Sequence, residues 1–229
     1  MQPSYAFGSR AARAALVGVA LYIAIDLGLV FLRPEFSVLH NAESDYGSAG
    51  PWAWLMNLNF MLRCLLSLAV IAGLAAACDK SRRLTAALVL LAVWAIVSGL
   101  LAIFPDDPVG TPTHGTGRIH LALAAIAFLA VLVGTILATP ALLRRQPRWG
   151  TLRIPLLILS WGAVVPLLLL GRAGFHPDSL GGLYEKIFLA MQLAWLVLAT
   201  LPVAPQRTPQ PTKALHDHRP AGSRRYPGR

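Results

Sequence analysis

Four of the six histidines and most of the carboxylates of this chain lie beside the ends of long apolar stretches, and these are the residues best placed to do chemistry. His114 and His120 stand six residues apart across a glycine-rich turn. With His176 and the carboxylates Asp45, Asp106 and Glu185 they are the ligand types taken by zinc or a similar divalent ion. Their spacing is not a tight metal motif, and a second reading stands beside the first. Asp106 and Asp107 can cap a turn or helix end after Pro105, and His120 can be a satisfied histidine at headgroup depth. Ser44 beside Asp45, with His120 as base, has the makings of a hydrolase nucleophile, although a Ser-Asp dipeptide in a loop is more often a turn.

The elements that must position these groups follow from composition. Of 229 residues 56% are hydrophobic and 13% charged, and the mean hydropathy of +0.60 lies above that of a water-soluble domain. Six stretches are long and apolar enough to cross a bilayer: Ala14 to Leu32, Trp52 to Cys78, Leu84 to Pro105, Ile119 to Leu143, Ile154 to Gly171 and Leu183 to Val203. Within hydrocarbon a backbone satisfies its polar groups inside its own segment, so these stretches predict an all-α bundle of six transmembrane helices rather than a barrel. Short connections make successive helices antiparallel neighbours. The expected organisation is an N-terminal arm over 1–13, a membrane domain over 14–203 and a disordered, Pro- and Arg-rich tail over 204–229, with no room for a soluble domain.

The net charge of +10 is distributed unevenly. The arm, the loops at 79–83 and 144–153 and the tail hold 15 of the 20 basic residues, whereas the other three connections carry more acids than bases. Basic loops stay in the cytoplasm, so both termini are expected inside and the first, third and fifth connections outside, in a bacterial inner membrane. The basic balance therefore reads as topology, and no nucleic-acid partner is expected. The tail could also touch anionic lipid headgroups. The first apolar run shows no clear small-residue cleavage site and is expected to be a retained helix. Cys64 and Cys78 lie 14 residues apart, about 21 Å along one helix, too far to form a disulfide. The sequence sets no oligomeric state.

Charges inside the spans carry a cost of about 2.5–3.5 kcal/mol each on insertion scales, so they need partners. Asn59, Arg63 and Ser67 recur every four residues, a polar stripe that should face the bundle interior. Asp26, in the first span, is at a depth that the long Arg63 side chain can reach, and an Asp26–Arg63 ion pair is expected. Glu185 shares a helix face with Gln192 and could compete for Arg63.

The outer connections also carry a resemblance. Phe31-Leu32-Arg33-Pro34-Glu35, Glu43-Ser44-Asp45-Tyr46-Gly47 and Gly50-Pro51-Trp52-Ala53-Trp54-Leu55-Met56 resemble the first loop of the bacterial membrane family known as domain of unknown function 998, DUF998. Ile103-Phe104-Pro105-Asp106-Asp107-Pro108 and Thr116-Gly117-Arg118-Ile119-His120 are similar to its second outer loop, and Gly182-Leu183-Tyr184-Glu185-Lys186 to the start of its last helix. Where the family pattern has Ser-Glu-Tyr and Glu-Arg, this chain has Ser44-Asp45-Tyr46 and Glu185-Lys186. The resemblance implies a multi-pass membrane protein and supplies no catalytic residue.

Three functional readings follow. In the first, an outward pocket framed by Asp45, Asp106, His120 and Glu185 binds a small polar ligand or a lipid headgroup. In the second, the same face is a metal-assisted hydrolase acting on lipid, with His114, His120 and His176 as metal ligands. In the third, Asp26 and Arg63 line the path of a small-solute or ion transporter.

Overall fold

The computed structural model describes residues 3–145, 147–176 and 178–204. Among these, seven α-helices and two short 3-10 turns are present and no strand: α1 (Pro3–Leu32), α2 (Ala53–Ala77), α3 (Arg82–Ile103), α4 (Gly115–Arg145), α5 (Arg153–Gly162), α6 (Val164–Ala173) and α7 (Gly181–Thr200). They form six spans long and apolar enough to cross a membrane, with α5 and α6 sharing the fifth. The all-α expectation holds. The basic tail lies outside the described residues, and with it the expected contact to anionic lipid.

Local signals account for the boundaries. Pro34 follows the end of α1, and Pro105 the end of α3, because the residue before a proline is pushed out of the helical region. Ser81 caps α3, its hydroxyl accepting the Leu84 N–H at 3.2 Å. Two features depart from the sequence reading. The first helix begins at Pro3, so the arm expected over 1–13 is largely helical; its proline stands at the first position, and Gly8 inside it lies where α1 packs closely on α2, a Cβ there meeting Ala76 at 3.3 Å. The stretch read as one helix over 154–171 is interrupted at Ala163. Pro166 explains the break, since it has no N–H to offer the carbonyl of Gly162 and its ring crowds that turn.

The packing order is sequential. α1 packs on α2, α2 on α3 and α3 on α4, and α7 closes the bundle against α1, α2, α4, α5 and α6. The break in the fifth span divides its contacts: α5 packs against both α4 and α7, whereas α6 packs mainly against α7. α4 and α6 therefore make little or no direct contact, a separation called here the α4–α6 gap, at the end of the bundle that carries the α1–α2, α3–α4 and α6–α7 connections, called here the acidic end.

The bundle is apolar outside, and its largely apolar interior carries a set of buried polar contacts. Val17, Leu21, Leu27, Phe31, Ile154, Ile158, Val165 and Leu168 are exposed on the helix surfaces, as lipid-facing side chains should be. Inside, Trp195 Nε1 donates to Thr139 Oγ1 at 2.8 Å, Thr135 Oγ1 to Gln192 Oε1 at 3.1 Å and Trp149 Nε1 to the Ala199 carbonyl at 3.0 Å. These bonds tie α4 and the segment before α5 to α7 where no water can substitute. Thr139→Val should therefore destabilise the protein by about 1 kcal/mol in detergent unfolding, by orphaning the indole N–H. The same change made in a Trp195→Phe background should cost clearly less; equal costs in both backgrounds would show that the bond contributes nothing.

Candidate functional site

The polar stripe of α2 faces inward as its spacing requires. Asn59, Arg63 and Ser67 are at most 1% exposed. Arg63 lies at the centre of a buried network: Nη1 donates to Glu43 Oε2 at 2.8 Å and to the Tyr22 hydroxyl at 3.3 Å, and Nε to Ser98 Oγ at 3.2 Å. Its guanidinium lies over the rings of Phe60 and Trp94, 4.9 and 4.8 Å from their centroids. The Tyr22 hydroxyl donates to Glu43 Oε1, so both oxygens of that carboxylate are engaged. Trp94 Nε1 donates in turn to Ser67 Oγ at 3.0 Å.

The partner of Arg63 is thus Glu43, and the expected Asp26–Arg63 pair is corrected. Asp26 is half-buried on α1, one turn beyond Tyr22, and no ion pair or hydrogen bond joins it to Arg63. The reason is the path of the first connection. It folds into the bundle mouth instead of running through solvent, and delivers Glu43, itself 3% exposed, onto the guanidinium.

Two anchors hold that connection down. Arg33, 4% exposed, donates from Nη1 to the Tyr46 carbonyl at 2.9 Å and from Nε to Glu35 at 2.5 Å, while its guanidinium covers the Phe36 ring at 4.6 Å. The Glu35 carboxyl is held below its usual range by that hydrogen bond from Arg33. The second anchor is the start of α7. Leu183 N–H donates to the Leu39 carbonyl at 2.9 Å, Lys186 Nζ to the Asn41 carbonyl at 2.7 Å, and Glu185 Oε2 accepts the Glu43 N–H at 2.8 Å. This approach is close enough to demand glycine at position 182, where a Cβ would lie 2.2 Å from the Asn41 carbonyl oxygen.

Asp45 and Asp106 stitch the loops together. Asp45 Oδ2 accepts from Asn41 Nδ2 at 2.8 Å and from the Ala42 N–H at 2.9 Å; burial pushes its carboxyl up while these two bonds oppose the shift. Ser44 Oγ donates to Asp106 Oδ2 at 2.9 Å, joining the first connection to the second. Asp106 Oδ1 accepts the Asp107 N–H at 2.9 Å, and Asp107 Oδ2 the His114 N–H at 2.6 Å, just before α4 begins. A Cβ on residue 117 would lie 2.2 Å from Asp107 Oδ2, which accounts for Gly117. His120, 2% exposed, is fixed by Nδ1 donating to the Phe104 carbonyl at 2.7 Å.

Between these loops and the helix ends lies a cavity of about 750 Å³. Asp45, Asp106, His120 and Glu185 all line it, as do His40, Glu43 and His176. Its floor is apolar, built from Phe60, Leu101, Ala124 and Phe128, and it reaches the gap between α4 and α6, where Val109, Leu121 and Phe175 are exposed. His114 is exposed and is not part of the lining. The expected set of His114, His120 and His176 is therefore not assembled. Among the described residues no three His, Cys, Asp or Glu side chains come close enough together to hold one metal ion. Nor is Ser44 paired with His120, since its hydroxyl is committed to Asp106.

Sequence reasoning missed the roles of Glu43, His40, Tyr22 and Arg33. Only Glu43 left a signal: a carboxylate two residues before Asp45, in a chain with a buried arginine in need of a partner. The coupling can be measured. Glu43→Gln and Arg63→Leu should each destabilise the protein by about 3 kcal/mol, because each leaves the other group buried without its counter-charge, and the double change should recover part of that loss. Asp26→Asn combined with Arg63→Leu should be additive. Coupling of Arg63 to Asp26 and not to Glu43 would contradict the geometry.

Residues 16–202 match the family described as protein of unknown function, DUF998. Neither a curated protein nor a solved structure matches the chain. The family match runs from within α1 to the end of α7 and takes in all three connections that build the cavity. This multi-pass helical membrane chain belongs to the DUF998 family.

Proposed function

We propose that the protein is a binding protein of the bacterial cytoplasmic membrane, whose acidic end faces outward and takes a lipid headgroup or another small polar group attached to an apolar body. The observation that carries this reading is the cavity's form. Polar groups from three connections converge over an apolar floor, and the volume is within the range of small-ligand sites. Exposed apolar residues at the α4–α6 gap give an attached chain a route toward the lipid phase. A freely soluble polar solute would make no use of either feature.

The hydrolase reading has less support, since the Ser44 hydroxyl donates to Asp106 and no hydrogen bond joins it to His120. The transporter reading relied on Asp26 and Arg63 as a pair. With Arg63 closed in by Glu43, Tyr22, Ser98 and the rings of Phe60 and Trp94, that route has lost its starting point.

Two measurements test the proposal. Reporter fusions after residues 45, 112 and 176 should behave as external and those after 82, 148 and 215 as internal; a reversed result at any loop would contradict the orientation. Mass spectrometry of lipid extracts should show an amphiphile enriched with the purified protein and lost when Ala124→Trp fills the cavity floor. Identical extracts from the two proteins, both folded by thermal unfolding, would overturn the binding reading.

A further inference from the structure

We infer that the group recognised in this cavity is a primary ammonium. The inference rests on the binding reading above and specifies its ligand. His120 supplies the first observation. A carbonyl oxygen can only accept, so the 2.7 Å contact to Phe104 places the ring proton on Nδ1 and leaves Nε2 of the neutral ring as a bare lone pair. The residue is 2% exposed and lines the cavity, yet no donor among the described residues reaches that nitrogen. His40 repeats the arrangement: Nδ1 donates to the Ser179 carbonyl at 2.6 Å, and Nε2 has no donor among the described residues.

The carboxylates extend the pattern. Glu185, 6% exposed, uses Oε2 for the Glu43 N–H, and among the described residues its Oε1 has no donor. Asp45 commits Oδ2 twice and has no donor among the described residues at Oδ1. The cavity thus presents lone pairs from several directions. Most of its donors are spent: Arg63 uses Nε on Ser98 and Nη1 on Glu43 and Tyr22, which leaves only Nη2 of the guanidinium, itself beside the Glu43 carboxylate, and the Ser44 hydroxyl is given to Asp106.

Charge points the same way. Glu43, Asp45, Asp106, Asp107 and Glu185 line the cavity against the single guanidinium of Arg63. The nearby Lys186 directs its ammonium to the Asn41 carbonyl. A phosphate or carboxylate ligand would meet like charge and few free donors, and a neutral sugar would leave the charge imbalance in place. A divalent ion needs grouped ligands, and the described residues offer no such group. A quaternary ammonium brings charge but no N–H, and calls for open aromatic faces. Of the three phenylalanines in the lining, Phe60 is covered by Arg63 and Phe128 packs on Phe188 at 5.2 Å, so Phe175 alone is open, short of the several faces that enclose such a cation. A primary ammonium supplies both the charge and three donors, with an attached chain lying along Leu101, Ala124 and Phe128 toward the α4–α6 gap.

The test uses the full chain in phosphatidylcholine nanodiscs, with empty nanodiscs as the partitioning control. The probes are dodecylammonium, dodecyltrimethylammonium, dodecyl phosphate and zinc chloride, titrated by calorimetry. Dodecylammonium should bind at least about tenfold more tightly than dodecyltrimethylammonium, the difference expected from hydrogen bonds to charged acceptors. Glu185→Gln should reduce that preference; the comparison of the two ammonium probes in the unaltered protein needs no variant and stands if this one fails to fold. Equal affinity for the two, tightest binding of dodecyl phosphate, or a response to zinc alone would overturn the ammonium inference and leave the binding reading in place. Uptake of all amphiphiles no greater than in empty nanodiscs would overturn both.

Discussion

A guanidinium buried in an apolar bundle must find a carboxylate, and in this protein that need governs the architecture of one whole end. Arg63 is nearly inaccessible, and removing its counter-charge would leave an ion in a medium that cannot solvate it. The counter-charge comes from a connection rather than from a neighbouring helix. Glu43 can reach Arg63 only if residues 33–52 fold down into the bundle mouth, and the rest of the acidic end is arranged to keep them there. Tyr22 from α1 and Ser98 from α3 complete the hydrogen bonding, so three helices and one loop converge on a single cation.

The consequence is a site made of loops but held as firmly as a core. Arg33 fixes the loop backbone near Tyr46, and the first turn of α7 receives Leu39, Asn41 and Glu43 through three hydrogen bonds. Gly182 and Gly117 are small because a loop backbone in one case, and the Asp107 carboxylate in the other, occupies the space of a side chain. Charge and packing thereby serve one end: polar groups from separate connections are held over an apolar floor, and His120 and Glu185, each with an acceptor that no donor among the described residues reaches, line the same cavity. Beyond the break at Ala163, α6 packs on α7 with little or no contact to α4.

How much of this was legible in the sequence depends on the range of the interaction. The six spans, and the inward stripe of Asn59, Arg63 and Ser67, follow from length and a helical period, both local properties. That Asp45, Asp106, His120 and Glu185 would line one cavity could be anticipated, because Pro51, Pro105 and Gly182 put their neighbours at the same end of the bundle. The partner of Arg63 could not be read in the same way. Depth along two helices suggested Asp26, but no periodicity encodes the path of a 20-residue connection, and Glu43 reaches the core through that path. The interruption of the fifth span was written in Pro166, yet the apolar run continued through it, and composition alone does not register a missing N–H. The three histidines shared residue type and an end of the chain's topology, but His114 stays exposed while His120 is drawn inside by the Phe104 carbonyl.

The central claim is that the first connection is part of the folded core because Glu43 is bound to Arg63. Hydrogen exchange of the backbone amides of residues 41–46, followed by mass spectrometry in nanodiscs, tests it most directly. The account predicts that these amides exchange as slowly as those inside α2, and that Arg63→Leu releases them while the α2 amides stay protected. Exchange at residues 41–46 as fast as in the exposed 108–113 segment of the unaltered protein would contradict it.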